Sequence, residues 1–416
     1  MFIFINTNYR KNFEFVLKYI IGDFMYIVIL KRNEEKKIIN GFPWIYANEV
    51  SSIEGKDIQG SIAKVESFDR RFIGYGYINH ASKIIVRIVS YNEEEIIDFN
   101  QTIFNRINDA NKRRIAMGYD GKLSSYRAVF SESDLLPGLV VDKYGDYLSI
   151  QILTLGMEVR KQAIIDALIK VFNPRGIYER SDVAVREKEG LKQRKGIIYG
   201  DFNPVVEIIE NGLKLRVDLE NGQKTGYFLD QKSNRDNIKH YVKDKEVLDC
   251  FCNVGGFSLC AAKYGAKSVT AVDISKTAIS EVEANLKLNN LEVNTVCADV
   301  FEKLREYKKE GRKFDVIILD PPAFTKSIDT VKEGYKGYVD INVLGLKLLK
   351  KGGTLITCSC SQHLTMPLFM KMIEESCNYS GVKTRLVELR FQGKDHAMMT
   401  NLSESLYLKV AVLNVL

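Results

Sequence analysis

The stretch from Val247 to Phe257, VLDCFCNVGGF, decides how this chain is built. Val247, Leu248 and Cys250 form a short apolar run of the kind buried in a parallel sheet, and Asn253-Val254-Gly255-Gly256 then turns the chain into a helix. Such a turn points backbone N–H groups into the crevice where open α/β sheets bind ligands, and a helix N-terminus there suits an anionic group. Working outward, the same pattern recurs. VTAVDI carries Asp273 at its end, TVCADV holds Asp299, FDVIILD closes on Asp320 and TLITCSC on Cys360. Helical runs separate these strands: GFSLCAAKYGA, SKTAISEVEANLKLNN, FEKLREYKKEG and VDINVLGLKLLKKGG, with LFMKMIEESCNYSG after the last. Strand and helix in alternation imply a doubly wound α/β sheet, mostly parallel, with right-handed crossovers over residues 220–416. SLYLKVAVLNVL at the end has no crossover helix after it and can insert antiparallel.

Upstream the texture changes. VVEIIENGLKLRVDL is a hairpin, because Asn211-Gly212 between two alternating runs supplies the positive φ angles of a type I′ turn. It closes a mixed α+β middle domain over 97–219, in which LVVDKYGDYLSIQIL turns at Tyr144-Gly145-Asp146 and MEVRKQAIIDALIKVF has helical spacing. Short strands with turn punctuation over 25–96, from MYIVIL to KIIVRIVS, indicate a small β-barrel. Residues 1–24 are apolar but interrupted by Arg10, Lys11, Glu14 and Lys18, and read as an extension or a misplaced start rather than a signal peptide or a span.

With 416 residues and 45% hydrophobic content, the chain can build two or three packed cores. A formal charge of +7 is compatible with a polyanionic partner without requiring one. All seven cysteines follow residue 249, several inside buried strands, which is not a disulfide framework; their spacing does not suit zinc, so no metal is expected and a reducing cytoplasm fits.

The chemistry sits at the strand ends. Asp273, roughly 20 residues past the glycines, is placed to accept from both hydroxyls of a ribose. With Gln231, Asp249, Phe251, Asn253, Gly255 and Gly256 it forms the candidate cofactor site, to which Asp299 adds a carboxylate suited to an adenine amino group. A nicotinamide dehydrogenase would share these features. Asp320-Pro321-Pro322-Ala323-Phe324 points elsewhere, because a rigid proline corner offers carbonyls, a carboxylate and a stacking ring to a flat, flipped-out base. Cys360, at the neighbouring strand end, completes the requirement for methylation at carbon 5 of cytosine: a thiolate that adds to carbon 6, with Asp320 relieving the charge that develops on the ring. Cys358 lies on the same strand face and is expected to pack, with a second functional thiol as the alternative. The mixed segment Gln223–Gln231 suits a lid over a cofactor. His363 and His396 are expected at the surface or in caps. In the barrel, Trp44 among Phe42 and Tyr46, with Lys36, Lys37, Arg70 and Arg71 nearby in sequence, is either an RNA-stacking platform or core.

From GFPWIYANEV, through SESDLLPGLVVDKYGDYL, YERSDVAVREKEG, GQKTGYFLDQKSNRD and VLDCFCNVGGF, to FDVIILDPPAF, Ser359-Cys360-Ser361 and ESLYLKV, the chain from Met25 to Leu416 resembles the bacterial 23S ribosomal RNA (cytosine-5) methyltransferase I family. The resemblance implies a class I methyltransferase sheet, a PUA-like RNA-binding barrel, S-adenosylmethionine as methyl donor, and Cys360 as nucleophile. It implies 23S ribosomal RNA or a large-subunit particle as partner, without a membrane; a homodimer is compatible with it. Thr357-Cys358-Ser359 resembles the Thr-Cys-Ser of other RNA cytosine-5 enzymes, so Cys358 stays open as the thiol, and residues 1–24 have no family counterpart. Two other activities share much of this pattern. A guanine-N7 or base-amino methyltransferase needs no thiol, and a silent RNA-binding assembly factor transfers no methyl group.

Overall fold

In the computed structural model, which describes residues 26–55, 58–95, 98–119, 121, 124–325 and 328–416, the chain divides into two compact units. One consists of residues up to 120 with 128–202 and 399–402; the other consists of 121–127, 203–398 and 403–416. The expected extension over 1–24, and Met25, lie outside the described residues. No helix of the described residues is long and apolar enough to cross a membrane.

The first unit contains two sheets. Strands β1 (Tyr26–Leu30), β2 (Trp44–Tyr46), β3 (Val50–Glu54), β4 (Ile62–Glu66), β5 (Phe72–Ile78) and β6 (Ile84–Ser90) form a six-stranded sheet in the order β2-β6-β5-β4-β1-β3. Their inward side chains, among them Val28, Leu30, Ile45, Val65 and Val86, bury one core. The second sheet runs β11-β10-β9-β8-β7, from β7 (Ser125–Phe130, whose first three residues are grouped with the other unit), β8 (Leu139–Tyr144), β9 (Tyr147–Ile152), β10 (Gly176–Ser181) and β11 (Arg194–Tyr199).

The barrel and the middle region, expected as separate domains, share this one unit because buried polar groups join them. Glu189 accepts from Asn79 Nδ2 (2.9 Å), Ser82 Oγ (2.6 Å) and Arg87 Nη2 (2.8 Å), and Tyr77 Oη bonds Thr154 Oγ1 at 2.9 Å. Each group would be costly to bury alone. Trp44 belongs to the same network: its Nε1 donates to Glu132 at 2.9 Å.

The hairpin β12 (Val205–Glu210) and β13 (Leu213–Asp218) forms as its sequence dictates, with φ of 51° at Asn211 and 71° at Gly212. Its place differs from expectation. It belongs to the second unit, so the boundary falls near 202 rather than 219. Glu210 accepts from Arg235 Nε (2.6 Å) and Nη2 (3.0 Å), with both side chains buried, and Asn285 Oδ1 accepts from Arg216 N at 2.8 Å.

The second unit is the doubly wound sheet. Strands β14 (Glu246–Cys250), β15 (Ser268–Asp273), β16 (Asn294–Cys297), β17 (Phe314–Leu319) and β18 (Leu349–Ser359) are parallel in the order β16-β15-β14-β17-β18. A strand the sequence pattern does not mark, β19 (Thr384–Arg390), forms the edge. β20 (Lys409–Val415) inserts antiparallel between β18 and β19, as its missing crossover implies. The helix after β17 spans Val331–Leu348 and starts before its apolar run, taking in Gly334. A Cβ on Gly334 would stand 2.7 Å from the Phe324 carbonyl oxygen and 2.4 Å from Thr325 Cγ2, so the glycine lets this helix press against the Asp-Pro-Pro corner.

Candidate functional site

The loop after β14 makes its turn with three residues at positive φ: Phe251 (62°), Asn253 (50°) and Gly255 (88°). Gly255 caps the helix Gly256–Lys263. The carboxylate of Asp273, at the end of β15, fixes this loop from the side: Oδ2 accepts from Asn253 N and Oδ1 from Ser275 N, each at 2.9 Å. Gly256 is required by packing, because a Cβ there would lie 2.5 Å from Tyr227 Oη and 2.7 Å from Arg235 Cδ.

These strand ends open onto a cavity of about 250 Å³. Phe251, Asn253, Gly256 and Asp273 line it on one side, Asp320, Pro321, Pro322 and Cys360 on another. Gln223, Lys224, Phe228, Asp230 and Gln231 line it from the segment preceding the sheet. That segment is held by hydrogen bonds. Gln231 Nε2 donates to Asp320 Oδ1 at 3.0 Å, and its Oε1 accepts from Asn234 at 2.7 Å. Asp230 Oδ2 accepts from Lys224 Nζ (2.8 Å) and Tyr407 Oη (2.7 Å), while its buried Oδ1 has no hydrogen-bond partner among the described residues.

Cys360 is the first residue past β18, half-buried between two serines that fix its backbone. Ser359 Oγ accepts from Ser361 N (3.3 Å); Ser361 Oγ bonds Tyr338 Oη (2.8 Å) and accepts from Thr325 N (3.4 Å). From the antiparallel neighbour, Lys409 Nζ donates to Ser361 O at 2.8 Å.

Burial sets the proton affinities. It pushes Asp320 up to about 6, with the Asp230 charge adding to it and Arg235 opposing. Burial also pushes the Cys360 thiol up to about 11, where Lys224 opposes and the carboxylates of Asp320 and Asp230 add. Asp230 goes the other way: burial would raise it, but Lys224, His396 and Tyr407 together hold it well below the usual carboxylate range.

Other expected site residues stand outside the cavity lining. Asp249 lies beneath it, fully buried, with Oδ2 accepting from Ser258 Oγ at 2.6 Å, Oδ1 without a partner among the described residues, and a proton affinity pushed by burial to about 7. Asp299 is exposed and caps the helix Val300–Lys309, accepting from Glu302 N at 3.0 Å. The Phe324 ring belongs to an aromatic cluster, 4.7 Å from Tyr338, 6.0 Å from Phe301 and 6.3 Å from Phe251 between centroids. Cys358 is fully buried and Gly255 faces Leu259 and Val282. His363 is half-buried; His396, expected at the surface or in a cap, is buried with Nδ1 3.1 Å from Asp395 Oδ1. Of the lining residues, Lys224 and Asp230 sit in the segment the sequence marks as a lid without being singled out; Lys409, outside the lining but bonded to the Ser361 carbonyl next to Cys360, is missed outright. Three of the four basic residues expected near Trp44 are paired locally: Lys37 with Glu49, Arg70 with Glu54 and Glu66, and Arg71 with Asp69.

Comparison with known proteins decides the family. The chain is 40% identical over 391 residues to the Ribosomal RNA large subunit methyltransferase I of Aeromonas salmonicida, covering 93% of this chain and 98% of that one. The chain belongs to the ribosomal RNA large subunit methyltransferase I family. The family's counterpart from Vibrio campbellii is likewise 40% identical, over 389 residues, with 92% and 97% covered. A family model for S-adenosylmethionine-dependent methyltransferases matches residues 196–385, and one for PUA-like domains matches residues 28–91. Two solved structures share the fold at 23% identity over 94% of this chain and all of theirs. One is described as a SAM-dependent methyltransferase from Streptococcus mutans (TM-score 0.79), the other as a methyltransferase complexed with SAH (TM-score 0.80).

The cofactor of this large-subunit methyltransferase family is S-adenosylmethionine, and the cavity suits it. Asp230, Asp273 and Asp320 line the cavity against Lys224 alone, since Arg235 is neutralised by Glu210. An acidic pocket with an unpartnered carboxylate oxygen matches a ligand that carries a sulfonium and an ammonium group.

Proposed function

We propose that the chain transfers a methyl group from S-adenosylmethionine to carbon 5 of a cytosine in 23S ribosomal RNA, through a covalent bond between Cys360 and carbon 6. One observation carries this: Cys360, Asp320, Pro321 and Pro322, at two neighbouring strand ends, line the same cavity as Asp273. The ribosomal RNA named for the curated relatives, and the PUA-like domain, support RNA as substrate. A cytoplasmic location goes with such a substrate and with cysteines that are all free thiols.

In this reading Asp273 binds the ribose hydroxyls, with Gln231, Phe251, Asn253 and Gly256 around the cofactor. The unpartnered oxygen of Asp230 and the ammonium of Lys224 answer its charged groups, while Asp249, buried outside the cavity lining, steadies the helix after β14 through Ser258. Asp299 caps its helix beside the adenine. Bound S-adenosylmethionine supplies a methyl group on a sulfonium that departs as a neutral thioether.

The residues of the chain do the rest. Pro321 and Pro322 face the flat base, with Phe324 supporting the corner from behind. The Cys360 thiolate adds to carbon 6, and the electron pair of the carbon 5–carbon 6 double bond spreads over carbon 5 and the ring. Asp320, protonated, donates to N3 as that charge develops, so carbon 5 becomes nucleophilic enough to take the methyl group. Loss of the carbon 5 proton to water then re-forms the double bond, expels Cys360 as thiolate and returns the N3 proton to Asp320.

A second reading has one observation in its favour. A thiol raised to about 11 is what an inert buried cysteine shows, and methylation of a base amino group would need only Asp320 and backbone carbonyls. Purified protein, radiolabelled S-adenosylmethionine and ribosomal RNA from cells lacking the enzyme decide between them. Label in 5-methylcytidine, lost in Cys360→Ala, is the expected result; label in another nucleoside, or label that survives the substitution, refutes the thiol mechanism.

A further inference from the structure

We infer that Lys409 is a positioning residue for the nucleophile: its buried ammonium is held beside Cys360 to stabilise the thiolate that attacks the base. The inference rests on Cys360 being that nucleophile.

Lys409 opens β20 and pairs with Ser359 of β18, one residue before Cys360. Only 2% of it is exposed, and Nζ reaches the Ser361 carbonyl, one residue after Cys360. The side chain therefore runs alongside the short segment that carries the thiol. That carbonyl is the one hydrogen-bond acceptor the ammonium has among the described residues, for a group with three donors. A methionine would fill the position without the cost of burying a charge, so the charge calls for an anion that forms during the reaction.

The charged and titratable groups facing Cys360 single Lys409 out. Asp320 after β17 and Asp230 before the sheet both oppose a thiolate. Lys224 favours one, but its ammonium already bonds the Asp230 carboxylate at 2.8 Å. Tyr338 and Cys358 are neutral groups whose own proton affinities are raised mainly by burial. Lys409 is the cation there without a carboxylate partner among the described residues. Burial draws its proton affinity down to about 8 and Cys360 draws it back up, which couples the two side chains.

The test is alkylation of Cys360 by iodoacetamide from pH 7 to 11 in the full-length protein without RNA, quantified on the Cys360 peptide by mass spectrometry. In the wild type the apparent pKa of the thiol should lie about one unit or more below that in Lys409→Met; equal values in the two overturn the inference. Lys409→Gln keeps a donor for the Ser361 carbonyl and removes the charge. It should alkylate roughly tenfold more slowly near pH 8, as should Lys409→Met, whereas Lys409→Arg should stay close to wild type, a tenfold change corresponding to about one pKa unit. Unchanged S-adenosylhomocysteine affinity shows that the variants are folded. If Lys409→Gln matches the wild type, the lysine is a strut for the Ser361 peptide and the inference fails. Because alkylation reads local charge without methyl transfer, it is separate from the Cys360→Ala assay that tests the nucleophile itself.

Discussion

Asp320 and Cys360 hold their protons against their ordinary habits, and together they fix a pH profile. In the proposed mechanism the productive state has one proton between them, on Asp320, with Cys360 as thiolate. Below about 6, where Asp320 begins to titrate, both groups are protonated, so kcat/KM should fall about tenfold per pH unit on acidification. Above it the pair keeps one proton in total, and the profile should be flat up to about pH 8, where Lys409 begins to lose its proton. A tenfold rise per unit between pH 7 and 9 would show that Asp320 is not the proton partner. The gap between about 11 and about 6 is roughly five units, on the order of 7 kcal/mol, which the bound base and nearby cations must recover. Asp273→Ala should weaken S-adenosylhomocysteine binding tenfold or more in calorimetry, because it removes the ribose acceptor and frees the Asn253 and Ser275 amides. At this scale Asp273, Asp320 and Cys360 were legible because each ends an apolar strand. Asp299 illustrates the limit: an aspartate after a strand serves equally as a helix N-cap, and sequence does not separate the two uses. Lys409 was illegible because a lysine starting a strand is ordinarily exposed, and only the sheet order shows that it is covered.

Among the elements, the β12–β13 hairpin matters through what Glu210 holds. Arg235 donates to Glu210 twice and to the Phe228 carbonyl at 2.8 Å, tying the hairpin to the segment that lines the cavity. Glu210→Ala leaves a buried guanidinium without its carboxylate and should cost about 3–5 kcal/mol in denaturant unfolding. A loss below about 1 kcal/mol would mean that water reaches Arg235. Gly334→Ala should cost about 1–3 kcal/mol by driving its helix off the Asp-Pro-Pro corner. The hairpin turn was plain from Asn211-Gly212, yet the hairpin's allegiance was not, because that depends on Arg235 and Asn285 far along the chain. β19 escaped notice for a related reason: TRLVELR sits at an edge, where Leu386, Val387 and Leu389 are exposed, so no buried face imposes a pattern.

For the molecule as a whole, the residues lining the cavity fall in one compact unit and the PUA-like domain in the other. Hydrogen exchange should show this directly. Added S-adenosylhomocysteine should protect residues 223–231, 251–256 and 320–324 and leave 28–91 unchanged; protection confined to the PUA-like domain would relocate the cofactor site. The alternating strands and helices made the second unit legible almost entirely. The first was less so, since its sheets are joined by buried polar groups such as Glu189 whose partners lie about a hundred residues apart in sequence.

The place of β20 has a further consequence, for synthesis. β18 leads directly into Cys360, the proposed nucleophile, and until β20 arrives it has β17 on one side and an open edge on the other. A nascent chain that has emerged through residue 390 thus possesses Asp273, Asp320 and Cys360 after their strands, but neither the neighbour that closes the sheet nor Lys409. If the proposed roles of Cys360 and Lys409 hold, methyl transfer should therefore wait until the last strand is made and has taken its place between β18 and β19.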